Sequence, residues 1–115
     1  MVSRGQQDGE VPDIELAVLT AQFDAPEEHL EALAGVLARY VVLTRHEPQC
    51  RNVDLIASTT VVGRFLIIEK WDHDQAARDH LDSAVMATMA REAVPLLAGP
   101  PTLDLYQSIS AHDLA

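Results

Sequence analysis

Trp71 and His80 stand nine positions apart and are the group types best suited to chemistry on a small aromatic molecule near neutral pH. An imidazole titrates close to neutrality and can take or return a proton. An indole offers a flat apolar wall and one N–H donor. His46-Glu47 is a second acid–base combination, and Tyr40 and Tyr106 carry hydroxyls that could hydrogen-bond a substrate oxygen. Each also has a plainer reading. Trp71 closes an apolar strand and fits a core. His80 could sit on a helix surface or be satisfied inside. Glu47 could serve backbone donors at a turn, His46 favours a helix C-terminus, and both tyrosines suit core positions.

Other groups carry less. Asp72-His73-Asp74 resembles a metal triplet, but adjacent residues diverge in direction, so a solvated capping turn is the better reading. Met86 and Met89 would fill irregular core volume or wall an adaptable apolar pocket. Cys50 is the single cysteine. It allows no intrachain disulfide or thiolate-built zinc site and reads as a small buried hydrophobe. There is no phosphate-binding glycine loop, dinucleotide fingerprint or serine-nucleophile elbow.

The 115 residues are enough for one domain that buries roughly two-thirds of its unfolded surface. An apolar fraction of 48% with only 4% aromatic residues requires a core of aliphatic side chains and alanine. Eight basic against eighteen acidic residues leave a formal charge of −10, which argues against a nucleic-acid partner and an anionic membrane surface. No apolar run reaches the ~18 residues of a spanning helix, and the polar start lacks a signal-peptide centre. The expected setting is soluble and cytoplasmic.

Elements that would position these groups follow from spacing. Residues 1–12 read as a flexible tail and 13–115 as the single domain. Ile14 to Phe23 alternates as a first strand, with Ile14, Leu16 and Val18 on one face and Ala17, Leu19 and Phe23 on the other. Asp24-Ala25-Pro26-Glu27 has the spacing of a capping box. The helix it opens runs to about Thr44, with Leu30, Leu33, Leu37, Tyr40, Val41 and Thr44 on one stripe. Gly35 would cost that helix about 1 kcal/mol, offset by close packing against a strand. Cys50–Ser58 and Arg64–Trp71 read as strands joined by Thr59–Gly63. Asp72 caps a short helix over 74–82. Ser83 caps another, whose Met86, Met89, Ala90, Ala93 and Leu97 share a face until Pro95 stops it. Thr102–Ile109 is the last strand.

The order βαββαβ predicts an α+β, ferredoxin-like plan: a four-stranded antiparallel sheet with the helices on one face. The other face must also be covered. Leu16, Val53, Leu55, Leu66 and Ile68 leave neither face fully wet, so a homodimer through the sheet face is expected, with Val61 and Val62 at its interface.

Glu47-Pro48-x-Cys50, then Phe65-Leu66-Ile67-Ile68-Glu69-Lys70-Trp71, Ala76 and His80-Leu81-x-Ser83, resembles the antibiotic biosynthesis monooxygenase domain family. The resemblance spans roughly 14–109, with its specific motifs in 45–83. It implies a dimeric α+β barrel of ferredoxin-like subunits. It also implies an activity, since members include monooxygenases that oxidise quinols or polycyclic phenols without metal, flavin or haem. Other members degrade haem. Gln49 replaces the usual glycine, the first strand lacks an asparagine, and Met89 falls where haem-degrading members place a histidine. Ile67 and Ala77 occupy positions where cofactor-free members often carry asparagine and tyrosine, so Trp71 alone carries over.

The resulting expectation is a cofactor-independent monooxygenase, without metal, that joins a phenolic or quinol-like substrate to dioxygen. His80 and Trp71 would be its catalytic residues, and Leu16, Met86, Met89 and Tyr106 would line a pocket between sheet and helices. The alternative is a non-catalytic dimeric binding or stress-related protein on the same scaffold. Haem degradation is third.

Overall fold

Every second residue of Ala17–Asp24 is buried, and this period of two lays the strand across the middle of a sheet. The computed structural model describes residues 16–109. The elements are β1 (Ala17–Asp24), α1 (Leu30–Arg45) after a 3-10 turn at Glu27–His29, β2 (Cys50–Ala57), β3 (Arg64–Trp71), α2 (Asp74–Leu81), α3 (Ala84–Ala93) and β4 (Thr102–Gln107). A second 3-10 turn, Val94–Leu96, follows α3 where Pro95 removes a helix donor. The expected tail and Ile14 lie outside the described residues.

The sheet order is β2-β3-β1-β4 and every neighbouring pair is antiparallel, which is the ferredoxin-like arrangement. In this register Leu19 faces Glu69 and Leu105, and Val53 also faces Glu69. One sheet face therefore carries Ala17, Leu19, Ala21 and Phe23 beside Ile67, Glu69, Trp71 and Val53, all buried beneath the helices. α1 closes this face with Leu33, Val36, Leu37, Tyr40, Val41 and Thr44, recurring at three and four residues. α3 adds Met86, Met89 and Ala93. Burial of these side chains supplies the main stabilising term.

Several local expectations change. Asp24 does not cap a helix: its carboxylate receives Arg64 Nε at 2.8 Å and Nη2 at 3.0 Å. The two residues are cross-strand partners where β1 ends and β3 begins, so the carboxylate is held in a bidentate pair within the sheet. Asp72 is likewise taken by Arg51 at 2.7 Å, and the α2 cap is His73, whose Nδ1 accepts from the Ala76 N–H at 3.2 Å. The Ser83 cap forms as expected, its hydroxyl accepting from the Met86 N–H. Ala90 faces solvent, away from the buried α3 stripe, and Ile109 lies beyond the end of β4. An irregularity between Cys50 and Asn52 in the β2–β3 ladder adds a residue that periodicity did not reveal.

Gly35 is exposed, and a Cβ placed on it would meet nothing within 4 Å, so it does not pack closely on a strand. Gly63 is different. Its φ of 88° is left-handed, and a Cβ there would fall 2.2 Å from the Ala25 carbonyl oxygen. Gly35→Ala should therefore raise the free energy of unfolding by about 1 kcal/mol, and Gly63→Ala should lower it. Urea unfolding of the two variants checks both signs.

Candidate active site

The core beneath α1 holds a line of polar groups where a small domain would ordinarily bury only hydrocarbon. Glu69 occupies an inward-facing position of β3, two residues before Trp71, because the period of two gives both the same face. Its side chain is 1% exposed. Trp71 Nε1 donates to Glu69 Oε1 at 2.9 Å, and the Tyr40 hydroxyl of α1 donates to Glu69 Oε2. His80, on the inner face of α2 and 2% exposed, brings Nε2 to 2.6 Å from the Tyr40 oxygen. The imidazole ring lies against the Trp71 indole with centroids 4.6 Å apart.

Glu47 completes the line. The α1 helix ends at Arg45, and backbone bonds from Glu47 N–H to Thr44 O and from Cys50 N–H to Glu47 O fold the turn back. Gln49 O accepts from the Asp72 N–H, tying this turn to the end of β3. The Glu47 carboxylate thereby reaches His80 Nδ1 at 2.9 Å, and at 29% exposure its side chain also meets solvent. The acid–base pair is thus Glu47 with His80, not with His46. His46 turns its Nδ1–H to the Val42 carbonyl at the helix end.

Burial is the largest influence on the two central acids. It raises the Glu69 carboxyl above its ordinary range, against the bonds from Tyr40 and Trp71 and the nearby imidazole, which favour the charged form. The Tyr40 hydroxyl is driven far above the usual phenol range, first by burial and then by the Glu69 charge. The Cys50 thiol is pushed up to about 11 by burial and the same carboxylate, which disfavours its thiolate. The Thr44 hydroxyl, one turn from Tyr40 on the same helix face, is fully buried beside it.

The residues singled out in advance divide sharply. Trp71, His80, Met86 and Met89 all enter the buried layer between sheet and helices. Leu16, just before β1, is buried but stands apart from the core cluster that contains Trp71. Tyr106 pairs with Val18 on the opposite sheet face and is 53% exposed, so it does not line the space between sheet and helices. The Asp72-His73-Asp74 groups point apart, to Arg51, to the α2 N-terminus and to Arg78. Glu69 was missed as a site residue. Its signal was available: a lone acid in an apolar strand, in phase with Trp71. Both His80 nitrogens and the Trp71 N–H are engaged by protein groups, so Glu47 is the member of the line that a substrate can approach from solvent.

A family model described as antibiotic biosynthesis monooxygenase matches residues 17–92. Among solved structures, a Pseudomonas aeruginosa protein is 26% identical with a TM-score of 0.73, over 85% of this chain and 97% of that one. A Mycobacterium tuberculosis protein is 22% identical with a TM-score of 0.77, over 84% and 97%. A structure described as an antibiotic biosynthesis monooxygenase is 24% identical with a TM-score of 0.72, over 81% and 98%. No curated protein matches.

Removing the central hydroxyl tests the line as a structural unit. Tyr40→Phe should lower stability by about 2–3 kcal/mol, because a buried carboxyl loses a donor and an imidazole loses its neighbour. The pH dependence has a definite sign. The folded protein keeps a Tyr40 proton that the unfolded chain loses above its ordinary value of 10.0, so wild-type stability falls as pH rises past that value. Denaturant unfolding at alkaline pH should show that decline weakened in Tyr40→Phe.

Proposed function

The chain belongs to the antibiotic biosynthesis monooxygenase family, and from that premise we propose that it oxidises a phenolic or quinol-like aromatic molecule with dioxygen, without metal, flavin or haem. The observation carrying this reading is the histidine packed at a tilt against the only tryptophan, bonded at one nitrogen to Glu47 and at the other to Tyr40. Such a group can take a proton from a phenol and hold it away from bulk water.

The reaction balances without an added reductant. A phenol with an open ring position loses its hydroxyl proton, and the phenolate passes an electron to dioxygen. The two radicals join as a ring hydroperoxide. The O–O bond then breaks: one oxygen stays as a carbonyl, and the other leaves as water with the ring hydrogen and the hydroxyl hydrogen. The substrate supplies all four electrons. Glu47 meets the phenolic proton at the surface, and His80 accepts it through their shared bond. Proton return to the departing oxygen uses the same groups, and positioned proton transfer contributes about 10²–10⁴-fold. Trp71 holds the imidazole plane, and Met86 and Met89 supply deformable apolar volume in the adjoining core.

In this reading two chains pair through the open sheet face, where Ile56 and Tyr106 are exposed beside Leu66 and Ile68, with Val62 at the hairpin end. A cytoplasmic setting suits the unpaired Cys50 thiol. No helix among the described residues is long and apolar enough to cross a membrane.

Two measurements test these statements. Oxygen uptake by metal-stripped protein over a panel of hydroquinones should exceed autoxidation, and His80→Ala should lower turnover by about 100-fold or more with the far-UV spectrum retained. Turnover no faster than autoxidation across the panel ends the oxidation reading. Sedimentation should show a dimer, and Ile56→Asp should shift it toward monomer; a wild-type monomer removes the pairing.

A further inference from the structure

The hydrogen bonds of the buried line require more protons than its ordinary ionisation states provide. A close contact between two electronegative atoms needs one proton between them. Three such contacts run in series: Glu47 to His80 Nδ1, His80 Nε2 to Tyr40, and Tyr40 to Glu69. Tyr40 supplies one proton and a neutral imidazole supplies one. With both carboxylates ionised, two protons serve three contacts, and one contact sets lone pair against lone pair. A third proton removes the conflict.

That proton has three places to sit. On Glu69, the carboxyl donates to Tyr40, Tyr40 to His80, and His80 to Glu47. On His80, the imidazolium donates to both Tyr40 and Glu47, and Tyr40 donates to Glu69. On Glu47, the carboxyl donates to His80 Nδ1, His80 to Tyr40, and Tyr40 to Glu69. These arrangements interconvert by short shifts along the line, each group passing on one proton as it receives another. The Trp71 N–H to Glu69 Oε1 bond is the same in all three.

We propose that Glu47, His80, Tyr40 and Glu69 share one stored proton and carry it between the solvent-facing Glu47 carboxylate and the buried Glu69 carboxyl. Glu69 is then a positioning residue: it touches no substrate and acts by setting where the proton rests. The placement of groups supports this. Desolvation of Glu69 opposes a permanent charge at the inner end, while the partly exposed Glu47 side chain at the outer end keeps contact with solvent. The charged and titratable neighbours are Arg45 at the end of α1, Glu47 in the turn, Cys50 on β2, and Tyr40 and His80 above the sheet. Of these, His80 is the buried group that can carry a positive charge beside Glu69, its Nε2 lying 3.7 Å from Glu69 Oε1, and that charge is the shared proton itself. Use of the stored proton to complete water formation rests on the oxidation reading above; the store itself does not.

The test needs no turnover. Trp71 is the only tryptophan, donates to Glu69 and packs against the His80 ring, so its fluorescence reports the protonation of the line. A shared proton titrates as one step belonging to the whole group. Glu69→Gln should move that step by about one pH unit or more, a tenfold change in proton affinity. Tyr40→Phe, which keeps both ends and nearly the same volume, should move it too and covers the case in which Glu69→Gln fails to fold. Asp74→Asn, which removes one exposed charge from α2, should leave it in place. A step unmoved in the folded Tyr40→Phe variant overturns the proposal, as does an equal shift in Asp74→Asn. Oxygen uptake with an unmoved step would retain the oxidation reading and discard the store; a moved step without uptake would do the reverse.

Discussion

The structure is organised around a carboxyl group placed where a carboxyl group is costly. Glu69 lies in the central sheet beneath α1, almost without contact with water. Left unpaired, a buried carboxylate would cost several kcal/mol and take its strand out of register or out of the core. Two donors from different elements prevent this: the Trp71 indole on the same strand and the Tyr40 hydroxyl on the covering helix. His80 on α2 and Glu47 after α1 then satisfy Tyr40 and each other. One group's need for partners thus couples β3, α1, α2 and the turn before β2.

This coupling explains features with no catalytic content. The backbone bond between Gln49 and Asp72 holds the Glu47 turn over the end of β3, where His80 arrives. The Ser83 cap separates α2 from α3, so α2 can aim His80 inward while α3 buries Met86 and Met89. A single continuous helix would constrain both faces to one period. A polar core of this kind is high-stakes: fully bonded, it specifies one arrangement, and partly bonded it is worse than hydrocarbon.

Much of the fold was legible from residue spacing. Alternation in β1, a stripe of three- and four-residue steps in α1, the apolar run Arg64–Trp71 and the stop at Pro95 each encode local geometry directly. Capping was less legible. Asp24 and Asp72 have suitable types and spacing, yet both pair with arginines that the sheet register brings beside them, a partner no local spacing announces. Gly35 reversed expectation for a related reason: one sequence tells that a residue lacks a side chain, not whether anything lies opposite it.

The amino-acid sequence by itself determined the sheet and its helical cover and marked Trp71 and His80 as the groups to watch; that His80 turns inward onto Trp71 was decided by the tertiary structure. Periods of 2 and 3.6 residues are properties of the local backbone and can be read from a single chain. Only tertiary structure decided that Glu69 is the centre, that Glu47 pairs with His80 across 33 residues, and that Tyr40 joins them while Tyr106 stays outside. Those contacts depend on which helix face meets which strand position and on a turn folded back over a sheet edge. No local pattern encodes such distances, because hydrogen-bond partners are chosen by what burial leaves unsatisfied.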